Sequence, residues 1–234
     1  MNKETFLKEL AKINIILTEK QLQNLDKYYN LLKTYNEKVN LTRIITEEDV
    51  YLKHFYDSLT MIKVIDLTKD LKVCDIGTGA GFPGIVLKIV FPLLKITLVD
   101  SIGKKVNFLN KAIEELNLKD IEAINVRIED YSKLNNEKFD LLVSRAVAKT
   151  NILLELGVKA LKLNGYFILM KGLVEEELKD AKKATTTLGL KLIKKEVFNL
   201  PIEDSLRTLL VFEKIKKTDT IYPRDFKDIQ KRPL

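Results

Sequence analysis

One cysteine and one histidine are all that this 234-residue chain contains. Cys74 therefore has no intramolecular disulfide partner, and the pair leaves zinc without a ligand set, so disulfide scaffolds and zinc chemistry are excluded. Long apolar runs are also scarce. The longest, from Ile85 to Leu94, is broken by Lys88 and Pro92, and no segment is suited to span a bilayer. The first ten residues, MNKETFLKEL, alternate charges and hydrophobes at helical spacing, with no apolar signal core and no cleavage site. These absences predict a protein of the reducing cytoplasm that works without metal or membrane.

Glycine is sparse as well, at nine residues, yet four of the nine lie between Gly77 and Gly84. The rest of the composition is that of a soluble globular chain, 46% hydrophobic and 31% charged, long enough to bury a substantial core. The net charge is +7 and unevenly spread, since the first 70 residues balance 11 basic against 11 acidic side chains. The excess lies downstream and is compatible with a nucleic-acid partner or with a lysine-rich proteome.

From about residue 3 to 65 the pattern is helical. Leu22, Leu25, Tyr28, Tyr29 and Leu32 recur at spacings of three and four, Thr18 with Gln21 reads as a capped start, and Thr46-Glu47-Glu48-Asp49 as another. From residue 71 strands and helices alternate. Strands are expected over 71–76, 95–100, about 121–126, 139–144 and 164–170, and helices near 83–91, 103–117, 149–161 and 173–188. That rhythm predicts a parallel sheet covered on both faces. Leu190 to Phe198 and Arg207 to Lys214 read as a closing hairpin that places one antiparallel strand in the sheet.

The glycine cluster follows the first strand, as Asp75-Ile76-Gly77-Thr78-Gly79-Ala80-Gly81-Phe82-Pro83-Gly84. A glycine-rich turn from strand to helix lets the backbone approach a nucleotide-like ligand closely. A P-loop is excluded because Gly84 is followed by Ile85-Val86 rather than Lys-Ser/Thr. A dinucleotide fingerprint fits poorly, because Phe82 occupies the third glycine position and Asp75 would face a pyrophosphate. A carboxylate there suits the amino and sulfonium charge of S-adenosylmethionine, and Asp100, at the end of the next strand, is placed to accept ribose hydroxyls. Later positions agree. Val126 to Asp130 is read as the end of the third strand, near the adenine, with Glu129 alternatively a helix-start acid. Phe139 to Ala148 is the fourth strand running into its loop.

That loop narrows the acceptor. Methylation of a pyrimidine C5 needs a cysteine nucleophile, and Cys74 sits inside the first strand. The Asn/Asp-Pro-Pro-aromatic loop of exocyclic-amine transfer is replaced by Ser144-Arg145-Ala146-Val147. Guanine N7 carries a lone pair in the neutral base and needs only positioning, whereas a ribose oxygen would want a base, for which Lys171 is available. A small-molecule methyltransferase, an RNA-binding module with a vestigial pocket and, more distantly, an NAD-dependent oxidoreductase remain as rivals.

Asn40-Leu41-Thr42, His54-Phe55-Tyr56-Asp57-Ser58-Leu59, the Asp75–Gly84 segment, Val99-Asp100-Ser101, Ser144-Arg145-Ala146, Lys171-Gly172 and the terminal Tyr222-Pro223-Arg224 with Lys231-Arg232-Pro233-Leu234 occur together and in order. In this the chain resembles the bacterial small-subunit rRNA guanine-N7 methyltransferases, the glucose-inhibited division protein B family. The resemblance implies a class I S-adenosylmethionine-dependent methyltransferase: a Rossmann-like α/β fold with a terminal antiparallel strand. It divides the chain into a helical cap at 1–68, a catalytic domain at 69–215 and a tail at 216–234 packing on or near the active site. It also implies a monomer acting on 16S rRNA in the small subunit or its assembly intermediate. Cofactor contacts carried over by resemblance fall on Gly77, Phe82, Ile128, Glu129 and Arg145, with Asp100 and Ser101 near the ribose, joining Asp75 and Gly79 from the glycine turn. Arg145 and Lys171 are the candidates for the catalytic site. His54 and Asp57 share a helix face and are expected to form a structural pair, and Asn40 to cap a helix. Lys171, Arg224 and Lys231 are candidate phosphate contacts.

Overall fold

In the computed structural model, which describes residues 1–145 and 147–234, the middle of the chain forms a seven-stranded sheet of order β3-β2-β1-β4-β5-β7-β6. Here β1 is Lys72–Ile76, β2 Lys95–Asp100, β3 Ile121–Asn125, β4 Phe139–Arg145, β5 Leu161–Lys171, β6 Leu190–Asn199 and β7 Leu206–Lys214. The first five are parallel. β7 inserts antiparallel between β5 and β6, pairing Leu169 with Leu210 on one side and Lys195 with Leu210 on the other. The single antiparallel strand expected from the sequence is therefore β7.

The helices are α1 (Lys3–Lys12), α2 (Glu19–Val39), α3 (Glu47–Val50), α4 (Asp57–Leu59), α5 (Gly84–Val90), α6 (Gly103–Glu115), α7 (Ile128–Leu134), α8 (Thr150–Gly157), α9 (Glu175–Thr187) and α10 (Phe226–Lys231). Strand side chains alternate between two apolar clusters. Val73, Leu98, Leu141, Val143 and Ile168 pack with α1 to α6, while Cys74, Ile76, Leu142, Leu169 and Leu210 pack with α7 to α10. Both faces of the central strands are thus dry, which is why β1 and β4 read as nearly continuous apolar runs. At the sheet edge β6 keeps Lys191, Lys194 and Lys195 toward solvent, a composition that discourages further strand pairing.

The capping signals act as their chemistry dictates. The Thr18 side chain accepts from the Gln21 amide while the Gln21 side chain accepts from the Thr18 amide at 2.8 Å. Thr46 caps α3 through the Asp49 amide, and Asn40 ends α2 in the left-handed region, at φ 51°. A π-helical turn, Tyr51–Tyr56, connects α3 to α4. Two expectations need correction. The segment 126–130 is not the end of β3; the strand stops at Asn125 and α7 starts at Ile128 with Glu129 and Asp130 in its first turn. A helix of seven residues carries too few turns for a periodic signal, and its acidic start was the only trace. The helix expected over 149–161 is α8 continued by a 3-10 turn over Val158–Ala160, whereas β5 begins at Leu161, three residues earlier than expected. Among the described residues no helix is long and apolar enough to cross a membrane, and no cluster of metal-ligating side chains is present.

Tyr28 joins the N-terminal helices to the sheet. Fully buried, it stacks on Phe55 and Phe108, tilts against Phe82, and donates its hydroxyl to the carbonyl of Ala80 in the glycine turn. Tyr29 and Tyr35 belong to the same apolar cluster, which makes all three tyrosines core rather than base-stacking platforms. Tyr28→Phe keeps the ring and removes one buried donor. It should lower unfolding free energy by about 1–2 kcal/mol in urea denaturation; an unchanged midpoint would mean that the hydroxyl does not brace the turn.

Candidate active site

Strand order reverses between β1 and β4, and the crevice outside their carboxyl ends is where doubly wound sheets bind ligands. The glycine turn leaves β1 here with Gly77, Gly79 and Gly81 at φ +65°, +63° and +96°. Gly77 has a steric reason beyond its dihedral, because a Cβ there would lie 2.6 Å from a Val147 methyl of the β4–α8 loop.

Asp75, inside β1, holds the turn from beneath. Its Oδ2 accepts from the Thr78 hydroxyl at 2.7 Å and from the Gly84 amide at 2.8 Å, so one oxygen spans the loop. Its Oδ1 is buried with no donor among the described residues. Burial pushes the carboxyl up to about 6, against the pull of those two hydrogen bonds. Asp100, ending β2, accepts from the Gly79 amide and from the Ile102 amide, each at 2.9 Å, which ties the two loops together.

Two cavities flank the crevice and share Val147 as a wall. The first, of about 410 Å³, lies over β1, β2 and β3. It is lined by Gly77, Asp100, Ser101, Ile128 and Glu129 from the sequence-derived set, together with Lys105, Arg127, Leu156 and Phe226. Asp75, Gly79 and Phe82 do not line it. Asp75 lies below the turn, Gly79 is engaged through its amide, and the Phe82 ring is buried against His54 with centroids 4.2 Å apart. Glu129 pairs with Arg127, whose guanidinium sits 4.2 Å from the ring centre of Phe226.

The second cavity, of about 390 Å³, lies over β4 and β5 and is lined by Asp57, Arg145, Met170, Lys171, Glu177 and Arg207 among others. Arg145 ends β4 and reaches into the N-terminal helices. It donates to the Lys53 carbonyl at 2.8 Å, to Asp57 Oδ2 at 3.3 Å and to His54 Nδ1 at 2.9 Å. Asp57 uses its other oxygen to accept from Arg207 Nε at 3.1 Å. His54 and Asp57 are therefore not a pair with each other; both converge on Arg145. Because an arginine can only donate, His54 Nδ1 must be the bare nitrogen, and Nε2 carries the proton toward Thr42 Oγ1 at 3.1 Å. Burial and then the Arg145 charge lower the imidazole to about 3, so it is neutral near pH 7. Lys171, ending β5, donates to the Ala148 carbonyl at 2.5 Å and to Glu177 at 2.9 Å, which clamps the loop after β4. Ala146, the centre of the Ser144-Arg145-Ala146 motif, lies outside the described residues.

Arg207, Lys105, Arg127, Val147 and Phe226 are the lining residues that sequence reasoning missed. Lys105 stands in the turn after Asp100-Ser101 and Arg127 just before Glu129, so proximity to a motif was a usable signal for those two. Arg207 arrives through the insertion of β7 beside β5, and Phe226 through the return of the tail, neither of which has a local sequence signature. Arg224 is not a free phosphate ligand, because Glu155 engages its guanidinium twice at 2.6 Å.

Residues 21–207 match the family model described as rRNA small subunit methyltransferase G. The chain is 46% identical over 227 residues to the ribosomal RNA small subunit methyltransferase G of Lysinibacillus sphaericus, covering 96% of this chain and 95% of that protein. It is also 46% identical over 239 residues to the protein of the same name from Lactobacillus helveticus, covering 100% of both. Among solved structures it is similar to TYW2 of M. jannaschii in complex with AdoMet, at a TM-score of 0.55 and 19% identity, covering 68% of this chain and 75% of that one.

The two buried titrating groups oppose each other. Asp75, raised from 3.8 to about 6, takes up a proton in the folded state that the unfolded chain still lacks, so its contribution strengthens folding as pH falls through that window. His54, lowered from 6.5 to about 3, stays neutral where the unfolded imidazole charges, so its contribution weakens folding as pH falls below 6.5. Relative to wild type, Asp75→Asn should lose stability more steeply on acidification, by up to about 3 kcal/mol across the window. His54→Gln should lose it less steeply. Urea midpoints across a pH series test both, and parallel slopes for all three proteins would refute the assignment.

Proposed function

Because the chain belongs to the small-subunit rRNA methyltransferase G family, we propose that it transfers a methyl group from S-adenosylmethionine to N7 of one guanine in 16S rRNA. The fold is that of the class I S-adenosylmethionine-dependent methyltransferases, and the chain is an enzyme of that family. The observation that carries the reading is the pair of cavities sharing Val147 in their lining, one on each side of the strand-order reversal, which suits a donor and an acceptor held side by side.

The first cavity fits the cofactor. It has the bare backbone of Gly77 at one end, the Asp100 carboxylate and Ser101 for ribose hydroxyls, and apolar walls with Ile128 and Glu129 for the base. The charge of Asp75, buried beneath the turn, favours a ligand bearing positive charge above it, with Gly79 and Phe82 holding that turn's shape. S-adenosylmethionine supplies an electrophilic methyl group on sulfonium. N7 attacks with a lone pair it already has, so the protein need not remove a proton; it must align the two partners and exclude water. Arg145 and Lys171, with Arg207, surround the acceptor cavity as donors held in place by Asp57 and Glu177, a setting suited to the acceptor atoms and phosphate of an RNA nucleotide. Arg145 would meet the cofactor carboxylate or the RNA from the wall between them.

The three-part division, with a cap at 1–68, catalytic domain at 69–215 and tail at 216–234, belongs to the same proposal. So does action as a monomer. The test is methyl transfer from labelled S-adenosylmethionine to purified small subunits that lack the modification, followed by mapping of the labelled base. One labelled guanine, cleavable as an N7-methylated site, is expected, with binding that weakens steeply as salt rises. Label on another atom or only on small molecules would overturn the reading. Asp100→Ala should weaken cofactor binding by roughly tenfold or more while circular dichroism stays native; wild-type affinity would remove Asp100 from the cofactor site.

A further inference from the structure

Phe226, the first residue of α10, lies beyond the stretch that the family model covers, and it lines the first cavity together with Asp100 and Glu129. We propose that the C-terminal segment is a working part of the cofactor site. Phe226 and Arg127 form the flat wall against which the purine of the cofactor packs, and the Arg224–Glu155 pair latches that wall in place. The proposal rests on the methyltransferase reading above.

The latch is a built one. Glu155 on α8 is fully buried, and it accepts from Arg224 Nε and Nη2 at 2.6 Å each and from the Arg224 amide at 3.2 Å. A bidentate guanidinium–carboxylate contact of this kind fixes position as well as charge. Detaching the tail would strand a carboxylate in the core, so the segment is held down by the penalty of releasing it. Further anchors follow along the chain. Asp225 pairs with Lys133 at 3.2 Å, Ile229 is fully buried, and the Leu234 carbonyl accepts from Asn151 at 3.1 Å.

The wall follows from that docking. The Arg127 guanidinium lies over the Phe226 ring, and its Nε is bonded to Glu129, so its plane is set from two sides. A phenyl ring and an immobilised guanidinium are the flat, polarisable surfaces on which purines stack. The other neighbours in this part of the cavity, Val126, Ile128 and Leu156, are aliphatic. Phe226 is the aromatic ring among the residues lining it. Glu129 sits beside the wall as an acceptor for the polar edge of a base. The tail thus contributes a surface that the sheet and its helices do not supply themselves.

Binding of S-adenosylhomocysteine to the full chain, measured by calorimetry, tests the proposal. Phe226→Ala should raise Kd about tenfold, with KM for the cofactor rising and kcat at saturation nearly unchanged. Phe226→Tyr should restore affinity, while Phe226→Leu, which keeps apolar bulk without a ring, should not. Arg224→Gln should reproduce the loss and expose the tail to protease. Wild-type affinity in Phe226→Ala or Phe226→Leu would overturn the role of the ring, and wild-type affinity in a protease-sensitive Arg224→Gln would overturn the latch. Absence of binding by the wild-type chain would overturn the methyltransferase reading itself, and the proposal with it.

Discussion

The buried carboxylate of Asp75 is the constraint on which the site depends. In this loop the amides of Gly77, Thr78, Gly81 and Phe82 find backbone carbonyls, but those of Gly79 and Gly84 take side-chain acceptors. Asp75 supplies one oxygen to both ends of the loop, at Thr78 and Gly84, and its companion oxygen remains without a donor among the described residues. Burial holds that carboxyl near 6, against the pull of the same two hydrogen bonds. Asp100 and Tyr28 complete the support, one from β2 through the Gly79 amide and one from α2 through the Ala80 carbonyl. Three elements far apart in sequence therefore hold one turn.

A second hub gives the N-terminal helices a reason to be there. Arg145 leaves the end of β4 and finds its partners on the π-helical turn and α4, at Lys53, His54 and Asp57. Asp57 bridges onward to Arg207 of β7, so the cap, the parallel strands and the inserted antiparallel strand meet around one carboxylate. Buried ion networks of this sort add little net stability, because desolvation offsets most of the attraction. Their value lies in geometry. The cations that line the second cavity are held at fixed positions by Asp57 and Glu177.

The division of labour between the two cavities also has a simple physical origin. In a doubly wound sheet the helices on either side of the reversal point diverge, leaving space above β1 and β4. Val147 occupies the middle of that space against the bare backbone of Gly77 and turns one crevice into two adjoining chambers. The first cavity sets Asp100 and Glu129 against Lys105 and Arg127, whereas the second sets Arg145, Lys171 and Arg207 against Asp57 and Glu177.

Much of this was legible in the residues. Strand and helix alternation, the glycine turn, the two acids at strand ends and the closing hairpin are local patterns, governed by side-chain period and backbone sterics, and each appears where its pattern stands. The short α7 escaped the periodic pattern because seven residues make too weak a period, and its acid Glu129, which the sequence offered as a helix-start acid, was the one trace of it. Tertiary structure alone decided that His54 and Asp57 serve Arg145 rather than each other, that Arg207 joins the acceptor cavity, that Arg224 is spent on Glu155, and that Phe226 returns to the first cavity. These are contacts across 69 to 150 residues of chain. A charged or aromatic side chain announces its chemistry wherever it occurs, but its partner is chosen by how β7 and the tail pack against the finished sheet.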